Sequence, residues 1–383
     1  MRKIGIIDFN IFTLDGVTQS DINVIHEFAD AGYQVDYFNY RPFTKKQIDG
    51  FKASSPAMQN VHFHRVRELP DHLDCEAYFI TREKLLSLAP YIQAHSQALV
   101  IGELHGPLDL VKDEYLKPYL PFLTCLRVAT PSIKRRVAAE YGFKRVYVQN
   151  VSVRHLVDSP SHFSSSAMTE DGLINLVVRA RFAYQKDVGA TIKLFSYLVN
   201  TMKKTNFRLY LTGYGPEKAQ LATMVTENGL AQYVTFTKTI PERHIYISTA
   251  RLETLGYSIC EEFAQGYPVV AYPGDDGVVK ENFAEFRDCL WITKDPVIDG
   301  PRVVEFVLQT RKLADYQFNL KLIDHWHRDY VKRFEMNMQA FDQVKVDRPT
   351  DWDFKRTTRI LRKQFDGGLK GMVRPIVYTL RNL

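Results

Sequence analysis

The chain has 383 residues, 45% of them apolar and 25% charged, which is material for about two domains and excludes both a wholly disordered chain and a single small module. Fifty Lys and Arg against 44 Asp and Glu leave a net charge of +6. No apolar run approaches the ~20 residues that cross a bilayer, which reads against an integral membrane protein.

The first segment, Ile4-Gly5-Ile6-Ile7-Asp8, reads as a strand and not as a signal peptide, because an acid ends the apolar run almost at once. Further strands are predicted at residues 34–40, 61–66, 98–102 and 145–149, separated by helical stretches, the pattern of a parallel sheet covered on both faces. Residues 158–172 are rich in Ser with one Pro and are predicted to be a linker. The alternation resumes with strands at residues 173–178, 207–212, 233–237, 245–248 and 268–272, and turns helical beyond about Gly300. The expected division is therefore a first α/β domain over 1–157, a linker over 158–172, a second α/β domain over 173–350 and a tail over 351–383. That tail carries eight basic residues against three acids, and Leu369, Met372, Val373, Ile376, Val377 and Leu380 form one apolar helix face interrupted by Pro375. It suits packing against the first domain, an anionic membrane surface or an acidic polymer; a plain solvated helix face is the simplest reading. Four scattered cysteines (Cys75, Cys125, Cys260, Cys289) without a Cys-x-x-Cys pair point to a reducing, cytoplasmic setting.

The most informative stretch runs from Glu253 to Tyr272. A carboxylate, a glycine turn, a helix with a second carboxylate eight positions on, and Gly-x-Pro into an apolar run form a purposeful layout. A helix starting at Gly256, Tyr257 and Ser258 aims unused N–H groups at an anion such as a diphosphate. Glu253 then stands beside whatever that phosphate carries, and Glu261 is placed to accept two hydroxyl protons of a ribose diol. Upstream, Arg181 and Lys186 follow a predicted strand; cations at a strand's carboxyl edge sit where open α/β sheets bind ligands and can neutralise a departing diphosphate. Between them lies Thr212-Gly213-Tyr214-Gly215-Pro216, a strand, a turn and a helix start.

In this order the motifs resemble family 4 of the retaining glycosyltransferases, which have the GT-B fold and an E-x7-E motif. The resemblance spans residues 173–282. It implies an α/β GT-B architecture: two Rossmann-like domains facing across a cleft, with a C-terminal helix crossing back to the first. It assigns Glu253 to the donor sugar, Glu261 to the ribose, and Gly213 and Gly215 to close approach of the nucleotide. Arg181 and Lys186 resemble the Gly-Arg-x4-Lys-Gly signature, with Ala180 and Asp187 in place of its glycines. Residues 239–248, with Pro241-Glu242-Arg243-His244, are shorter than the family's usual helix at that point, which leaves the base open. In the N-terminal half, Gly16 follows the first strand where members carry a glycine-rich loop over the diphosphate. His105, in Gly102-Glu103-Leu104-His105-Gly106-Pro107, stands where members have a histidine facing the donor sugar. The implied activity is metal-independent retaining transfer of a hexose or N-acetylhexosamine. The donor is a nucleotide diphosphate sugar, with UDP as the expected carrier, and no cofactor is called for. The implied acceptor is a cell-envelope glycan, teichoic acid or glycolipid, which would place a cytoplasmic enzyme at the inner face of the membrane if the tail meets lipid.

Other chemistries have less support. His62 and His64, or His325 and His327, make His-x-His pairs, but no third ligand is near in sequence, so no metal site is expected. Asp275-Asp276 resembles the acidic pair of metal-dependent transferases, yet it follows a strand whose loop the family uses through its backbone. His26 and Tyr257 are most simply helix-packing residues. Nucleophile-elbow, Walker and nucleic-acid-module signatures are missing. A GT-B-like binding partner without catalysis, and a sugar-nucleotide epimerase or phosphorylase on the same fold, remain the alternatives.

Overall fold

The computed structural model describes residues 2–13, 15–157, 159–341 and 343–366. The chain forms two compact units, one comprising residues up to Ser152 together with those from Asp329 onward, the other Val153–Arg328.

In the first unit, strands β1 (Lys3–Asp8), β2 (Gln34–Asn39), β3 (Val61–Arg65), β4 (Ala77–Ile80), β5 (Leu99–Glu103), β6 (Cys125–Val128) and β7 (Val146–Val148) make one sheet in the order β3-β2-β1-β4-β5-β6-β7. Every pairing is parallel, as alternating strands and helices require. β4 and β6 were not among the expected strands; each has only four residues. The helix Gly16–Asp30 buries Val24, Ile25 and Phe28 against the sheet.

The chain returns to this unit at Asp329, earlier than the expected boundary at 350. The reason is packing: the helix Tyr330–Gln339 places Tyr330, Val331, Phe334 and Met338 in the same core, with the Phe334 ring 5.4 Å from Phe28 and 5.1 Å from Phe79. The helix Phe354–Asp366 follows. It buries Thr357 and Leu361 and sets Phe365 against Phe9 and Tyr40 at 5.0 and 4.6 Å, while Lys355, Arg356, Arg359, Arg362 and Lys363 face solvent. The apolar stripe from Leu369 to Leu380 lies outside the described residues. Among those described, no helix is long and apolar enough to cross a membrane.

In the second unit, strands β8 (Ile174–Arg179), β9 (Phe207–Thr212), β10 (Val234–Phe236), β11 (Ile245–Ser248), β12 (Val269–Ala271) and β13 (Cys289–Trp291) form a parallel sheet in the order β10-β9-β8-β11-β12-β13. The order reverses between β8 and β11, which opens a crevice at their carboxyl ends. The serine-rich stretch expected to be a linker belongs to this unit: Ala167 lies in its core, His162 N donates to Gln265 O at 2.8 Å, and Met168 bridges Ile174. No helix stands between β10 and β11, as the short sequence there implied.

Candidate functional site

The site of the second unit is assembled where its strand order reverses. β8 ends at Arg179, and the loop after it carries Arg181 and Lys186; β11 ends at Ser248, and the loop after it carries Glu253. Backbone bonds join these loops: Arg251 N donates to Gln185 O at 2.8 Å, and Asp275 N to Arg251 O at 2.7 Å. Lys186 Nζ and Glu253 Oε1 are in direct contact, both part-buried, in a small polar cavity with Ala180, Tyr246, Ser248 and Ser258. Arg181 is exposed and does not line this cavity.

Gly213 and Gly215 have a physical reason in the chain itself. The loop after β9 lies directly on the loop after β8: Ala180 N donates to Thr212 O at 3.0 Å and Phe182 N to Tyr214 O at 2.8 Å. A Cβ on Gly213 would stand 1.8 Å from Ala180 O, and one on Gly215 would stand 2.2 Å from Phe182 O. The two glycines therefore fix where Arg181 leaves the backbone. Asp187, where the resembling signature has glycine, still adopts the left-handed conformation (φ 45°, ψ 46°), which Asp tolerates better than most side chains. Its carboxylate holds Lys294 Nζ at 2.8 Å, and its carbonyl accepts from Thr249 Oγ1 at 2.8 Å.

The helix Tyr257–Gln265 begins from Gly256, itself left-handed at φ 86°. Its first internal bonds run from Ile259 N and Cys260 N to Gly256 O, so the N–H groups ahead of them take no partner inside the helix. Asn282 Nδ2 pins the preceding turn through Thr254 O at 2.7 Å, and Ser258 Oγ accepts from Tyr246 OH at 2.7 Å. The positive end of this helix thus points to the cavity that holds Lys186 and Glu253.

One turn along, Glu261 Oε2 accepts from Arg179 Nη2 at 2.5 Å, and the same Nη2 lies 3.1 Å from Glu262 Oε1. Glu262 is buried, with Oε2 2.9 Å from His244 Nε2, while His244 Nδ1 donates to Pro241 O at 2.7 Å. Arg179, Glu262 and His244 were missed from the sequence. An arginine closing an otherwise apolar strand, and a second glutamate directly after Glu261, were the signals available.

Gly16 and His105, also singled out from the sequence, belong to the first unit. Gly16 opens the helix Gly16–Asp30, but the end of that helix is already closed by Asp15, whose carboxylate accepts from Val17 N and Thr18 N at 3.0 and 2.9 Å. Asp15 also pairs with Arg82 at 3.0 Å, and Arg82 with buried Asp8 at 2.7 Å. The His105 side chain is only 7% exposed, with Nε2 2.6 Å from Glu103 Oε2 and 3.1 Å from Arg127 Nη2. Burial pushes the Glu103 carboxyl up, but Arg127 and His105 outweigh it and hold it at about 2. Burial and Arg127 press the His105 imidazole below its usual value, which favours the neutral ring.

The His-x-His pair at 62 and 64 gains neighbours that spacing did not show. Asp36, His64 and His72 each offer a ligand atom within 4.8 Å of the others, and Lys3 Nζ, 2.8 Å from Asp36 Oδ2, supplies positive charge to this buried carboxylate. Asp275 pairs with Arg251 at 2.8 Å, and Asp276 Oδ1 accepts from Val278 N at 3.1 Å.

Residues 161–299 match the family model described as glycosyl transferases group 1. The second unit is similar to the group 1 glycosyl transferases over most of its length. No curated protein matches the chain in sequence. Among solved structures, TarM shares 12% identity at a TM-score of 0.67, over 90% of this chain and 99% of that one. HepE of Anabaena, in complex with UDP and glucose, shares 14% identity at a TM-score of 0.60 over the whole of both chains. The lipopolysaccharide outer core galactosyltransferase WaaB shares 13% identity at a TM-score of 0.62, over 88% of this chain and 99% of that one. These likenesses establish the fold: two parallel-sheet Rossmann-like domains of the GT-B type.

Proposed function

We propose that this glycosyltransferase takes a hexose or N-acetylhexosamine from a nucleotide diphosphate sugar, with UDP the favoured carrier, and transfers it with retention to a cell-envelope glycan, teichoic acid or glycolipid. The observation that carries the reading is the convergence of Lys186, Glu253 and the start of the helix Tyr257–Gln265 at the reversal of strand order. A diphosphate seated at that helix end meets a positive dipole and the Lys186 ammonium at once. Glu253 holds Lys186 in position; the sugar attached to the distal phosphate then lies against Glu253.

The bond from the anomeric carbon to the distal phosphate oxygen breaks with its electron pair leaving on the diphosphate. Arg181, Lys186 and the helix end stabilise this growing charge more in the transition state than in the ground state. The acceptor hydroxyl attacks the anomeric carbon from the face the diphosphate leaves, and its proton passes to the departing phosphate oxygen. Arg181 and Lys186 supply the charge that a metal ion supplies in other transferases, hence the proposal of metal independence.

Support for the carrier comes from neighbours of the same fold: a TarM mutant was solved with UDP and α-GlcNAc-glycerol, and HepE with UDP and glucose. The exposed basic face of the helix Phe354–Asp366 suits an anionic surface, in keeping with a membrane-linked acceptor.

The test is a transfer and hydrolysis assay with a panel of nucleotide sugars. One donor is expected to be consumed by the wild type, with Lys186→Ala and Glu253→Ala each slower by about 10²–10³-fold. Variants as active as wild type would overturn the reading. So would release of a converted sugar nucleotide with no transfer, which marks an epimerase.

A further inference from the structure

Glu261 is not a free carboxylate on a helix surface. A glutamate there ordinarily samples several rotamers, whereas here one oxygen is committed to Arg179 Nη2 at 2.5 Å. Arg179 is itself fixed from two sides. Its backbone closes β8 in register with Thr212, and its carbonyl accepts from Tyr246 OH at 3.3 Å. Its guanidinium is shared with Glu262 Oε1 at 3.1 Å. Glu262 is in turn immobilised by buried His244, whose ring stacks on Tyr267 with centroids 3.8 Å apart. This relay ties Glu261 to the segment Pro241–His244, which crosses from β10 to β11 without a helix.

Arg179 Nε–H is buried and has no acceptor. That donor is not used by the two acids, whose contacts are both to Nη2. The remaining Glu261 oxygen, Oε1, has His155 Nε2 3.9 Å away and lies on the side not taken by Arg179.

We propose that Arg179, backed by Glu262 and His244, is the positioning residue that sets selectivity for ribose. By holding Oε2 it presents Oε1 to the vicinal hydroxyls, so preference for a ribonucleoside diphosphate over its 2′-deoxy analogue depends on Arg179. The inference rests on the assignment of Glu261 to the ribose. Arg179 acts through Glu261 and is not expected to touch the diphosphate.

The experiment is calorimetric titration of the full chain with UDP, 2′-deoxy-UDP and inorganic pyrophosphate. The wild type is expected to bind UDP more tightly than 2′-deoxy-UDP by about tenfold or more, the scale of a charge-assisted hydrogen bond. In Arg179→Gln that ratio should fall close to one with pyrophosphate binding unchanged, and Arg179→Lys, keeping one donor, should restore part of it. An unchanged ratio in Arg179→Gln, alongside a collapsed ratio in Glu261→Gln, would overturn the proposal and leave the ribose assignment standing. An unchanged ratio in Glu261→Gln, or no preference in the wild type, would overturn the ribose assignment itself. Loss of pyrophosphate binding in Arg179→Gln would show a general collapse of the site and so refute a selective role; if that variant does not fold, Arg179→Lys alone decides, an unchanged ratio overturning the proposal.

Discussion

Asp187 illustrates how a single side chain can take over a conformation usually left to glycine. Its left-handed backbone (φ 45°) starts the helix Val188–Ser196 directly after Lys186, and the ion pair to Lys294 at 2.8 Å holds it there. Asp187→Gly removes both the strain and the ion pair, so its stability is expected to stay within about 1 kcal/mol of wild type in urea unfolding. Asp187→Val, β-branched and unable to pair, should lose about 2 kcal/mol. At this scale the meeting of Lys186 with Glu253 follows the motif spacing, whereas Arg181 and Glu261 lie outside the cavity those two line. The partners of Glu261 were not legible in the sequence. Arg179 reads as the end of a strand, and His244 lies 17 positions before Glu261 in a different element; only the parallel pairing of β8 with β11 brings them to one place.

Among elements, the loops after β8 and β9 act as one piece because Gly213 and Gly215 let their backbones touch. Gly213→Ala puts a methyl 1.8 Å from Ala180 O, and the loops must part. The expected result is a loss of about 2 kcal/mol or more in stability, with transfer slowed by about 10²-fold because Arg181 and Lys186 shift relative to Glu253. A Gly-x-Gly turn was legible, but a role in loop-to-loop packing needs the facing carbonyls, which no local pattern shows. Of the strands that escaped prediction, β6 has a definite physical cause. β6 is Cys-Leu-Arg-Val, and a charged residue in a four-residue run argues against a buried strand until Arg127 is seen paired with Glu103 at 2.8 Å and bonded to Gln149 O at 2.8 Å.

At the scale of the whole molecule, the first unit carries its own response to acid. Glu103 is held at about 2, against an ordinary value of 4.5, by Arg127 and His105 in spite of burial. Asp36 is likewise held at about 2, against 3.8, by His64, Lys3 and Gln34. Both carboxyls bind protons less readily when folded, so their stabilisation is complete above pH 4.5 and drains away as pH falls towards 2. Circular dichroism should follow acid unfolding of this unit across that window. Glu103→Gln, which strands Arg127 without its counter-charge, should be less stable at pH 7 by about 3–5 kcal/mol and show a flatter fall below pH 4.5.

The two-domain plan was legible in the alternation of strands and helices, yet the return of the chain at Asp329 was not. An amphipathic helix such as Tyr330–Gln339 declares that it has a buried face, not which core receives it, and Phe334 finds Phe28 and Phe79 some 300 and 250 positions away, as about the gap in the sequence. Where UDP binds decides whether Lys186, Glu253 and Glu261 act on a donor. A crystal structure of the chain soaked with UDP is predicted to show the diphosphate at the start of the helix Tyr257–Gln265 beside Lys186, with the ribose hydroxyls on Glu261. UDP bound away from these groups, or none bound at saturating concentration, would contradict it.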